Sequence, residues 1–88
     1  MTRAKRPRKS VEALDFIGAV RRMLRAAAVR VADADEYELA ALLALQADLD
    51  AAILQAVQGQ RALGRSWAYI ALATGRTREA AYQKWGTK

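Results

Sequence analysis

The feature that most constrains this chain is a helical rhythm of apolar residues that almost nothing interrupts. Leu14, Phe16, Ile17, Val20, Met23, Leu24, Ala27, Ala28 and Val31 recur at helical spacing, with Glu12, Asp15, Arg22 and Arg25 on the opposite side. The rhythm resumes at Tyr37, Leu39, Leu42, Leu43, Leu45, Leu49, Ile53, Leu54 and Val57. The one proline, Pro7, precedes both stretches, and 21 of the 88 residues are alanine, the best helix former. An all-α chain is predicted, with room for a single domain at this length.

Local punctuation divides the rhythm into four helices. Ser10 is placed to cap a first helix from about Val11 to Arg30, with Glu12 and Asp15 in the early turns where the helix dipole favours anions. Asp35 with Glu38 forms a capping box for a second helix reaching Leu63, and Asp33 with Glu36 offers the same one turn earlier. Gly64 suits the left-handed residue that ends that helix, while Gly59 inside it marks a possible bend. Ser66 then caps a short helix over 66–74, Gly75 ends it, and Thr77 caps another over 77–85. The second helix, roughly 40 Å long at 1.5 Å per residue, carries more apolar surface than one short antiparallel partner covers. A helical hairpin that dimerises through Leu39, Leu42, Leu45, Leu49 and Ile53 is therefore expected, with a monomer covering both stripes itself as the alternative.

Charge and composition exclude several functions. With no cysteine and no histidine there is no thiolate nucleophile, no imidazole base and no Cys/His zinc site, so no metal, cofactor or catalytic residue is expected. A chain this short rarely encloses a cavity for a small-molecule substrate, and no enzymatic activity is expected. Glu12 and Asp15 break any leader-like run, and Arg21 and Arg22 end it. No stretch approaches the roughly 20 uninterrupted apolar residues of a membrane helix, and the lack of cysteine makes the cytoplasm the expected compartment. The net charge of +6 is unevenly spread. Residues 1–9 hold Arg3, Lys5, Arg6, Arg8 and Lys9 without an acid, residues 10–59 sum to −4, and residues 60–88 sum to +5. Two basic ends around a mildly acidic middle point to a polyanionic partner and to a middle that folds or self-associates. Residues 1–9 read as a disordered arm, suited to the minor groove or to phosphates.

The segment 66–85, SWAYIALATGRTREAAYQKW, is the most specific part of the chain. Two short helices around a glycine turn, with the small Ala71 four residues before Gly75 and Ala81 six after it, have the plan of a helix-turn-helix. Such a unit holds its second helix out for a major groove. The segment resembles small helix-turn-helix proteins of actinobacteria and their phages and plasmids, and more distantly region 4 of sigma factors. Ser66, Trp67, Ile70, Gly75, Thr77, Arg78, Ala80, Ala81, Gln83 and Trp85 carry the resemblance, and residues 50–65 are similar to the helix that leads into the family's motif. Thr74 stands where the pattern has leucine, Arg76 where it has valine, Ala71 where it has glycine and Lys84 where it has arginine. The resemblance implies binding of double-stranded DNA, with transcriptional control as the role.

On the second short helix, Ala81 and Trp85 are four apart and expected to face inward. Thr77, Arg78, Glu79, Tyr82 and Gln83 then face outward as candidate base contacts, since Arg matches guanine, Gln adenine and Glu the cytosine amine. Arg61, Arg65, Arg76 and Lys84 flank them as candidate phosphate contacts, together with the arm's Arg3, Lys5, Arg6, Arg8 and Lys9. Trp67 and Trp85 are expected in the core. The leading expectation is a dimeric, sequence-specific DNA-binding regulator, associated with the nucleoid. The alternatives are a protein-interaction adaptor, of antitoxin or phage type, working through the long apolar helix, and a packaging protein that binds DNA without sequence preference.

Overall fold

The computed structural model describes residues 8–87, and side chains from Ser10 onward. The expected contacts at Arg3, Lys5 and Arg6 lie outside the described residues. Four α-helices follow one another: α1 (Arg8–Val31), α2 (Glu36–Ala62), α3 (Trp67–Thr74) and α4 (Arg78–Ala81), the last continued by a π-helical segment, Tyr82–Gly86. No strand occurs among the described residues. The chain divides into two compact units, residues 1–43 and 44–88, with the division inside α2.

In the first unit, α1 begins earlier than its sequence predicts. Ser10 lies inside the helix, and Arg8 and Lys9 belong to its first turn and not to an arm. Arginine and lysine are good helix formers, so the helix grows past a serine whose cap is not required. The turn at residues 32–35 follows its sequence closely: the Asp35 backbone N–H donates to Glu38 Oε1 at 3.1 Å, one half of the capping box. No side chain among residues 10–43 is buried. Phe16 and Met23 are each 70% exposed, so the expected hairpin has no buried core over these residues.

The second unit contains every buried residue among those described: Val57, Ile70, Ala71, Ala81 and Trp85, with Leu54 and Trp67 packed against them. Glycine and hydroxyl residues at the helix ends set its geometry. Gly64, at φ +95°, ends α2: its N–H donates to the Arg61 carbonyl at 2.9 Å and the Arg65 N–H to the Gln60 carbonyl at 3.2 Å. Gly75, at φ +68°, ends α3 the same way, with Arg76 N–H donating to the Ala71 carbonyl at 3.0 Å. This paired 6→1 and 5→2 pattern satisfies the last carbonyls and needs a left-handed residue that glycine adopts without strain. Ser66 and Thr77 start the next helices as expected, their hydroxyls accepting from the backbone N–H of Tyr69 and Ala80 at 3.0 Å each.

Two expectations change here. The last helix keeps α winding only to Ala81; from Tyr82 it widens into π winding, which leaves Trp85 buried while Gly86 passes tightly beside two aromatic rings. And α2 is, by length and composition, apolar enough to cross a membrane, although no segment was expected to approach that. Asp48 and Asp50 sit at its midpoint. Each carboxylate there costs about 2.5–3.5 kcal/mol at a bilayer centre, and Val57 of the same helix is already committed to the core.

Candidate nucleic-acid interface

The candidate surface is the outward side of α4 and its π-helical continuation. Ala81 is fully buried and Trp85 is 6% exposed, so the inner side of this short element is fixed by two residues four apart. Ile70 and Ala71 of α3 supply the opposing wall, and the small Ala71 lets the two elements approach. Thr77, Arg78, Glu79, Tyr82 and Gln83 are all exposed, as their spacing predicts. Four of them, Arg78, Glu79, Tyr82 and Gln83, line one open depression together with Trp67. All five expected base-contact residues are thus exposed, and four of them share one concavity.

Tyr82 is not a free side chain. Its ring meets Trp67 edge to face, with centroids 5.6 Å apart and planes at 90°. Gly86 lies beneath them: a Cβ at that position would stand 2.5 Å from Tyr82 Cδ1 and 3.0 Å from Trp67 Cζ2. Only a residue without a side chain leaves room for this pair of rings. No spacing rule in the sequence marks Gly86, since a glycine near the end of a helix equally suits an ordinary terminator.

The flanking cations are held in place by aromatic faces. Arg61 lies 4.8 Å from the Trp67 ring centroid and Arg65 5.3 Å from that of Tyr69. Arg76 lies 5.1 Å from that of Trp85. Arg61 also donates to the Arg65 carbonyl at 2.8 Å, and Arg65 donates to Gln60 Oε1. Guanidinium groups stacked this way lose less freedom when they meet an anion. Arg76, at a position where the resembled pattern has valine, covers the Trp85 ring with its guanidinium. Thr74, in the place of leucine, returns its hydroxyl to the Ile70 carbonyl at 2.8 Å and so leaves no polar atom unsatisfied. These stacking contacts join residues four to nine positions apart across helix ends, where no helical spacing rule signals them.

Lys84 is exposed and lines a second cleft, with Asp50, Ile53, Leu54, Arg76 and Trp85. It shares that cleft with Arg76 and does not line the depression at Arg78. Arg8 and Lys9 lie within α1, and their side chains are not described. Of the residues expected at a dimer interface, Leu39, Leu45, Leu49 and Ile53 are exposed and Leu42 is half-buried. Among the described residues, no three Asp or Glu side chains gather as a metal site. No family model matches the chain, and neither curated proteins nor solved structures yield a match to it.

Proposed function

We propose that the chain binds double-stranded DNA through the exposed side of α4 and its π-helical continuation, and that α3 and α4 act as a helix-turn-helix. The observation that carries this reading is the convergence of Arg78, Glu79, Tyr82 and Gln83 on one open depression, on an element pinned from behind by Ala81 and Trp85. Arginine, glutamate and glutamine there offer the hydrogen-bonding groups that distinguish base edges in a major groove. Arg61, Arg65 and Arg76, pre-stacked on rings, supply phosphate contacts around it. The protein acts by binding, without catalysis or a cofactor, as a regulator of transcription in the nucleoid.

A homodimer completes the reading. The uncovered leucines of α2 form its interface, and a pair of copies presents two such elements to a two-fold site. A second reading is favoured by the same uncovered residues: an adaptor that docks another protein on the apolar sides of α1 and α2. Selection of bound sequences from random duplex DNA, followed by affinities for the selected and a random duplex at two salt concentrations, decides between them. A specific-to-random ratio of about 10³ or more establishes the regulator. A ratio near one with a steep salt dependence establishes a packaging protein, and no duplex binding leaves the adaptor.

A further inference from the structure

Between the polar residues of the depression on α4 lies an aromatic pair in edge-to-face contact, and its ligand is narrower than DNA in general. The wall is mostly carbon, contributed by Trp67 and Tyr82, while Arg78, Glu79 and Gln83 bring the polar groups. The Tyr82 ring meets Trp67 edge to face and lies against Gly86, where a Cβ would crowd both rings. It also begins the π-helical segment, and such local widenings of a helix recur at functional sites.

In a major groove, the one apolar group on a base edge is the C5-methyl of a pyrimidine, present in thymine and in 5-methylcytosine. We propose that the Trp67–Tyr82 depression is a seat for a pyrimidine C5-methyl group, and that Arg78 or Gln83 beside it reads the neighbouring purine. The proposal rests on the DNA-binding reading of this surface and adds the chemical group that it selects. Glu79, in the same depression, accepts a hydrogen bond from a cytosine amine and repels the thymine O4, so the two sources of the methyl group are separable.

The test uses the full chain and a duplex obtained by selection, altered one base at a time. Each thymine is replaced by deoxyuridine, which removes the methyl alone, and each cytosine by 5-methylcytosine, which adds it. At one position of the recognised sequence, the methyl group is expected to strengthen binding about three- to ten-fold, the scale of burying one such group. Loss on deoxyuridine assigns the seat to thymine, and gain on 5-methylcytosine assigns it to methylated cytosine. Tyr82→Phe keeps the ring and is expected to keep the effect, whereas Tyr82→Ala removes it. If no C5-methyl matters while the selected duplex still outcompetes a random one, the seat is wrong and the DNA-binding reading survives. If no duplex is preferred over random DNA, the seat and the sequence-specific reading both fall. The comparison of bases on the unmodified protein stands even where Tyr82→Ala does not fold.

Discussion

The guanidinium of Arg76 lies over the ring of Trp85, 5.1 Å from its centroid, so a turn residue and a core residue nine positions later share one contact. Trp85 is buried in the small core, and Arg76 covers it from the α3–α4 turn. An arginine in this position has two available tasks, covering the ring and meeting a phosphate.

Arg76→Ala separates those tasks. It is expected to lower stability by about 0.5–1 kcal/mol, the size of an exposed cation–aromatic contact, and to change the tryptophan emission. Arg76→Leu restores the apolar cover without the charge. If Arg76 also meets a phosphate, both variants lose DNA affinity and reduce its salt dependence, and only Arg76→Ala shifts the thermal midpoint strongly.

Two glycines give opposite expectations for one substitution. Gly86→Ala places a methyl 2.5 Å from Tyr82 Cδ1, and overpacking of that kind costs about 1–3 kcal/mol. Gly59→Ala, inside α2 with nothing within 4 Å of its Cβ, is expected to raise stability by about 0.5–1 kcal/mol. Chemical denaturation of both variants checks the pair, and equal effects would show that the ring pair over Gly86 is not tight.

Thr77→Ala removes the hydroxyl that accepts from Ala80 N–H at the start of α4, at an expected cost of about 1 kcal/mol. Because α4 has only four residues before it widens, loosening its start also disorders Arg78 and Glu79. Thr77→Ser, which keeps the cap, is expected to retain stability and DNA affinity together. A loss of affinity in Thr77→Ser at unchanged stability would point instead to a direct contact by the threonine methyl.

Much of this architecture is legible in the sequence because it is written in local chemistry. Ser66, Gly75 and Thr77 each act on backbone groups within five residues, so spacing alone locates them. Ala81 and Trp85 are legible for a related reason: residues four apart on one helix side share a fate. The stacking of Arg61 on Trp67 and the clearance at Gly86 are not legible, since each depends on how two elements meet after a turn. The start of α1 is not legible because Arg8 and Lys9 carry charge, which marks an arm, and also helix propensity, which extends a helix. The π winding from Tyr82 leaves no signature in composition, since Tyr82, Gln83, Lys84 and Trp85 are all compatible with α-helix.

Leu45→Glu probes the proposed dimer. Leu45 is 41% exposed on α2, and a charge there costs the single chain little but opposes burial against a second copy. Light scattering is expected to show a dimer for the unmodified chain at tens of micromolar and a 9.7 kDa monomer for the variant, with weakened DNA binding. A monomer in both cases overturns the dimer and directs attention to a different protein as the cover for α2.

Arg78 and the segment 1–9 make different demands on the same ligand, and comparing them tests where sequence is read. Arg78 is exposed and lines the depression with Gln83, five positions later, so one side of the element offers donors for two base edges. Arg78→Ala is expected to cost about 1–3 kcal/mol on the selected duplex and to relax preference at one base pair, with little change on random DNA. Removal of residues 1–9 deletes five cations. Their loss is expected to weaken selected and random duplexes alike and to flatten the dependence of affinity on salt, because phosphate contacts release counterions without reading bases. Affinities of each variant for both duplexes at two salt concentrations separate the effects. Should Arg78→Ala stay folded and bind the selected duplex as well as the unmodified chain does, sequence is not read by this side of α4.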